Sequence, residues 1–281
     1  AAGSLHRLQD RRRRDEQLHR ALRPGRRGTS HAVDDGARLL AAEWALDDRD
    51  GPRAEALLAE LQPGVARRTQ ALRLKLQAAR LERRPMDALH TARLLANHQA
   101  FTSTAAQGLL RSLAIEALDS AHDADQLRRA WQAFDGADQR DPFVAARAAR
   151  RAAQLQAADD GRGWLRPLWD RLDSLGADGR AEVALALVDT VAGLGPDWLP
   201  RVEAAQGTHP TEPAVQAAVG AVLAERQLWG KARRPLELAA QDPQLQARAR
   251  RQAWRALARL ATEEGDDARA LDCLRRAAEQ D

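Results

Sequence analysis

The sequence predicts an all-α fold of stacked antiparallel helix pairs, and three observations predict it. Ala, Leu, Arg, Glu and Gln, the better helix formers, dominate the composition. Tyr is absent, Phe occurs three times, and Val and Ile are scarce, so a sheet lacks its usual material. Prolines recur where helices should begin, and a spacing of buried-type residues, 12 and then 7, returns four times along the chain.

The elements follow in order. Residues 1–30 form an Arg-rich arm: 1–23 read as a polar helix or a disordered segment with a thin stripe of Leu5, Leu8, Leu18 and Leu22, and PGRRGTS at 24–30 breaks it. Residues 31–281 form the repeat domain, with helix following helix from about Asp34. Turns are signalled by DRDGP at 48–52, RRP at 83–85, QRDP at 139–142, GLGPD at 193–197, THPTEP at 208–213 and QDP at 241–243. Pro52, Pro85, Pro142, Pro196 and Pro213 suit the first turn of a helix, where a missing N–H costs nothing. Asp141 and Thr211 are expected N-caps. Pro167 and Pro235 fall inside helical patterns and are expected to kink or break them.

The spacing of 12 and 7 links Ala42, Ala54 and Leu61; Leu76, Ala88 and Leu95; Gly220, Ala232 and Ala239; and Ala258, Ala270 and Ala277. Small residues at these places let two helices touch. Ala54 and Ala88 lie 34 residues apart, Trp254 precedes Ala258 by four, and Gly265 falls in a turn. This is the pattern of a tetratricopeptide-like helical-repeat solenoid. Residues 102–207 are expected to be helical near 102–120, 124–135, 143–157, 162–173, 179–192 and 196–206, outside that frame. Trp131, Phe134, Trp164, Trp169 and Trp198 are expected to fill the core there.

Charge is divided unevenly. The chain carries +4, but residues 1–30 hold nine Arg against three acidic residues, a surplus of +6, which leaves −2 for the rest. A basic stripe on the fold, as nucleic-acid binding needs, is not expected; the basic arm suits an anionic membrane surface. The lone Cys273 excludes an internal disulfide and reads as a small, half-buried residue. No dinucleotide, P-loop, zincin or nucleophile-elbow motif occurs, and the carboxylates read as solvated charges on polar faces. The reading is therefore of a binding protein and not an enzyme, with no required cofactor and no metal site.

One stretch is more specific. Leu228, Trp229, Gly230, Lys231 and Ala232, within QLWGKAR at 227–233, resemble a motif of the HemY family. So do the segments at 66–101, LRRAWQAFD at 127–135, WLRPLWDRL at 164–172 and RQAWRALARLATEEGD at 251–266. The resemblance covers about residues 34–281. Its members are proteobacterial inner-membrane proteins with tetratricopeptide repeats, associated with haem biosynthesis. The resemblance implies two membrane spans ahead of the Arg-rich arm, a cytoplasmic-face location and a role beside the late haem-biosynthesis enzymes as protein partners. It assigns no catalytic residue.

In the repeat frame, Glu43, Arg73, Gln77, Arg80, Glu225, Arg255 and Arg259 are expected to line a partner-binding groove, the arginines clamping carboxylates. The alternative is a haem-handling factor on the same scaffold, for which His90 and His98, eight residues apart, are the candidate ligands.

Overall fold

The computed structural model describes residues 31–280, together with Arg13 and Glu16. The expected Arg-rich arm otherwise lies outside the described residues. Those residues hold no strand, and none of their helices is long and apolar enough to cross a membrane. Fourteen helices of at least nine residues follow one another: α1 His31–Asp47, α2 Gly51–Ala59, α3 Thr69–Leu81, α4 Pro85–Asn97, α5 Ser103–Asp119, α6 Ala124–Ala133, α7 Pro142–Gln154, α8 Ala158–Trp169, α9 Ala177–Asp189, α10 Leu199–Thr208, α11 Pro213–Glu225, α12 Trp229–Gln241, α13 Ala247–Glu263 and α14 Asp267–Ala278. The chain divides into two compact units, residues 1–113 and 114–281, with the boundary inside α5.

In the first unit α1 packs on α2, and α3 packs on both and on α4. Its core joins Leu39, Ala42, Ala45 and Leu46 of α1 to Ala54, Leu58, Leu61, Ala71, Leu74 and Ala78. In the second unit α7 packs on α8, α11 on α12 and α13 on α14. Odd-numbered helices also touch the next odd-numbered helix, from α7 through α9 and α11 to α13.

All twelve residues of the expected 12-and-7 frame are buried. Gly220 shows why the frame wants small residues: a Cβ there would lie 2.7 Å from the Leu236 side chain. The middle of the chain, which sequence reasoning left outside the frame, obeys it too. Ile115, Leu127 and Phe134 keep the spacing, as do Ala149, Gly161 and Leu168, and Ala186, Trp198 and Ala205. All but the half-buried Ile115 are buried. At Gly161 the approach is closest to the main chain, since a Cβ would stand 3.0 Å from the Ala149 Cα and carbonyl oxygen.

The turns share one geometry. Arg49, Arg83, Gln156, Gly193, Gln227 and Gly265 have positive φ, and each follows the first residue of its frame by seven. In five of these turns the next N–H reaches back to the carbonyl five residues earlier at 2.8–2.9 Å: Asp50 to Ala45, Arg84 to Ala79, Ala157 to Ala152, Leu228 to Leu223 and Asp266 to Ala261. This is a Schellman closure, which satisfies carbonyls that a helix end otherwise orphans.

Several expectations are corrected. The helix placed at 162–173 runs four residues earlier at both ends, as Ala158–Trp169, with Gly161 inside it. Pro167 and Pro235 do not break α8 or α12, which run through them. Thr211 is not an N-cap: the cap position of α11 is Glu212, without a side-chain capping bond. Asp141 caps α7 as expected, accepting from the Phe143 and Val144 N–H groups. The five first-turn prolines stand where the sequence put them. Cys273 is fully buried rather than half-buried. Trp131, Phe134, Trp169 and Trp198 are buried in the second unit as expected, while Trp164 is half-buried; Trp131 stacks on Trp164 at 4.9 Å and Trp169 lies edge-on to Trp198 at 5.9 Å.

Candidate functional site

The first unit presents a cleft of about 510 Å³ lined by Leu46, Arg49, Arg73, Leu76, Gln77, Arg80 and Leu81. Arg73, Gln77 and Arg80 are exposed on one face of α3, at helical spacings of four and three. Arg49 joins them from the turn after α1, held by its positive φ and by its N–H donating to the Leu46 carbonyl at 2.9 Å. Leu46 and Leu76 are buried and give the cleft an apolar floor. No carboxylate lines it. Among the described residues, Arg49, Arg73 and Arg80 have no ion-pair partner, so three guanidiniums face one cleft without an internal counter-charge.

In the second unit several arginines instead pair with carboxylates, which stay partly exposed. Arg128 pairs with Asp160 at 2.7 Å, Arg150 with Glu182 at 2.7 Å, Arg180 with Glu212 at 2.7 Å, Arg201 with Asp170 at 2.8 Å and Arg269 with Glu237 at 2.7 Å. Each joins side chains 31 or 32 residues apart. The sequence hides this because the partners are distant in the chain. Asp189, at the end of α9 and 10% exposed, accepts from Arg150 of α7 at 3.1 Å and from Arg248 and Gln252 of α13 at 2.8 and 3.1 Å. Arg162 is buried in α8, donating to the Thr190 and Ala192 carbonyls past the end of α9 and pairing with Asp159. A cation suits that helix C-terminus.

The expected groove residues divide between the units. Glu43 is exposed on α1 but does not line the cleft. Glu225 accepts from the Gly193 N–H at 2.8 Å and so secures the preceding turn. Arg259 lies 5.8 Å from the Trp229 ring centroid, and Arg255 is exposed on α13. Sequence reasoning missed Arg49. The signal available was its place seven residues after Ala42, the same step that separates Leu76 from Arg83.

The segment Leu228–Ala232 forms the turn into α12. Leu228 holds the cap position, Trp229 begins the helix, Lys231 pairs with Glu203 at 2.8 Å and Ala232 is buried against α11. Gly230 has open space around it. His90 and His98 are both exposed, one within α4 and one at its C-terminal cap. His209 lies between Asp173 at 2.6 Å and Glu212 at 3.0 Å, which occupy both ring nitrogens. Burial works to raise the Glu212 carboxyl, but hydrogen bonds from Arg180 and His209 outweigh it and hold it below its ordinary value. Burial pushes the Cys273 thiol up, away from the reactive thiolate. No group of three or more His, Cys, Asp or Glu side chains gathers for a metal ion among the described residues.

No family model, no curated protein and no solved structure matches the chain.

Proposed function

We propose that this chain is a non-catalytic binding protein, a tetratricopeptide-like solenoid that engages partner proteins through their carboxylates. The solenoid reading is supported by the 12-and-7 frame, which recurs seven times, and by the shared turn geometry seven residues into it. The single observation that carries the binding reading is the cleft of Arg49, Arg73 and Arg80 over Leu46 and Leu76. A guanidinium offers five N–H donors in a planar fork and pairs bidentately with a carboxylate. Three of them around an apolar floor suit an acidic peptide segment that also carries an apolar side chain. The HemY resemblance supplies the setting: partners among the late haem-biosynthesis enzymes, at the cytoplasmic face of a bacterial inner membrane.

The test uses fluorescent peptides of equal length, one alternating Glu with Leu and one with Gln in place of Glu. Fluorescence anisotropy is expected to show binding of the Glu peptide, weakening with added salt as exposed charges are screened. The double substitution Arg73→Glu and Arg80→Glu is expected to abolish it, while Arg255→Glu in the second unit leaves it unchanged. Equal binding of the two peptides, or a double variant that binds as the wild type does, would sink the reading.

A further inference from the structure

The arginines of the cleft are set along a helix, and that fixes their spacing. Arg73, Gln77 and Arg80 share one face of α3, and Leu76 lines the cleft between the two arginines. Seven residues of helix place the Cα atoms of Arg73 and Arg80 about 10.5 Å apart along the axis. Seven residues also fall only about 20° short of two full turns, so both arginines leave α3 in nearly the same direction.

A partner's carboxylates must match that distance and point the same way. In an extended segment, residues on one face recur at about 7 and about 13 Å, and those about 10 Å apart point to opposite faces. In a helix, residues i and i+7 stand about 10.5 Å apart on one face, and the residue at i+3 or i+4 points between them. That residue would face Leu76.

The second unit makes such a pairing within the chain. Glu182 and Asp189 stand seven residues apart on α9, and Arg150 of α7 holds both, Glu182 at 2.7 Å and Asp189 at 3.1 Å. Asp189 also accepts from Arg248 at 2.8 Å and from Gln252 at 3.1 Å. Its partners are thus two arginines and a glutamine, the same side chains that α3 brings to the cleft.

We infer that the segment the cleft takes is an acidic α-helix, with two carboxylates seven residues apart and an apolar residue between them. Arg73 meets one carboxylate, Arg80 meets the other, and the apolar residue lies over Leu76. The inference rests on the carboxylate reading of the cleft and adds a conformation and a spacing to it.

Three fluorescent peptides test it by anisotropy against the full chain. The first is locked as a helix by a crosslink on its far face and carries Glu at its positions 3 and 10, with Leu at 6. The second is locked in the same way but carries Glu at 3 and 8, which a helix turns to different faces. The third has the residues of the first in the same order, without the crosslink and with two interior residues as D-amino acids, which break the helix. The first is expected to bind on the order of tenfold more tightly than the others, because it meets both arginines and has little ordering left to lose. Arg73→Gln and Arg80→Gln should each bring the first peptide down to the level of the second. Both arginines are exposed, and an unchanged circular dichroism spectrum checks that the fold persists. If all three bind equally while their Gln counterparts do not bind, the carboxylate reading stands and the helical inference is overturned. A third peptide that binds best overturns it as well. If no peptide binds better than its Gln counterpart, the carboxylate reading fails and the inference falls with it.

Discussion

Two glycines of α8 stand two residues apart and meet opposite surroundings. Gly161 faces the backbone of α7, where an added Cβ would lie 3.0 Å from the Ala149 Cα and oxygen. Backbone in mid-helix cannot turn aside as a side chain can, so Gly161→Ala must push the two helices apart. The expected loss is about 1–3 kcal/mol, the usual range for overpacking. Gly163 has nothing within 4 Å, so Gly163→Ala meets only the helix preference of alanine and is expected to gain up to about 1 kcal/mol. Urea unfolding midpoints of the two variants should therefore move in opposite directions. Midpoints that move together would contradict the close approach of α7 and α8. The same residues mark the limit of sequence reading. Pro167 reads as a breaker and Gly161 falls just outside the expected helix, and only packing against Ala149 shows that Gly161 lets a helix come near. At Ala186, Trp198 and Ala205 the frame is hidden because its middle position holds the largest side chain in place of a small one. α10 accordingly makes its close contacts with α11.

Between elements, the turns and the ion pairs decide how one helix follows another. The six helices of residues 102–207 and most of their ends were legible from prolines and apolar spacing. The turn geometry was not, because only two of the six positive-φ residues seven into the frame are glycine; the others bear about 1–2 kcal/mol of steric strain and are marked only by their place in the frame. Nor were the joints legible, since their partners lie more than 30 residues apart in the chain. The joint at α9, α10 and α11 brings Arg180 and His209 to Glu212, and Asp173 to the other nitrogen of His209. Burial works to raise its carboxyl, but hydrogen bonds from Arg180 and His209 hold Glu212 below its ordinary value. Its contribution is thus fully present above the unfolded value and is lost as pH falls through the lower folded value. The substitution Glu212→Gln is expected to lower the melting temperature at neutral pH. On acidification below about 4.5 the gap between wild type and variant should close. A gap that stays constant from neutral pH down to 3, or that widens in acid, would remove Glu212 from the joint.

At the scale of the whole molecule, nearly every contact joins a helix to one or two neighbours, and the chain falls into units 1–113 and 114–281. In such a chain stability is close to a sum of local terms plus neighbour interfaces, and a weakness in one place need not reach another. The longest ties run within the second unit, where Asp189 binds Arg150 on one side and Arg248 and Gln252 on the other. Exposed pairs contribute at most about 1 kcal/mol each, but Asp189 is largely enclosed and connects α7, α9 and α13 directly. Damage inside the second unit should therefore spread through it and stop short of the first. Gly161→Ala supplies the damage. Hydrogen exchange read by mass spectrometry is expected to show faster exchange in α7, α8 and α9, and a smaller rise in α11 and α13. The amides of α1, α2 and α3 should exchange at the wild-type rate, because none of their packing partners has changed. If those amides lose protection in step with α8, the two units unfold as one, and the local account of stability fails. Adding Asp189→Asn to Gly161→Ala isolates the long tie: the rise in α13 should then grow beyond that of either single variant.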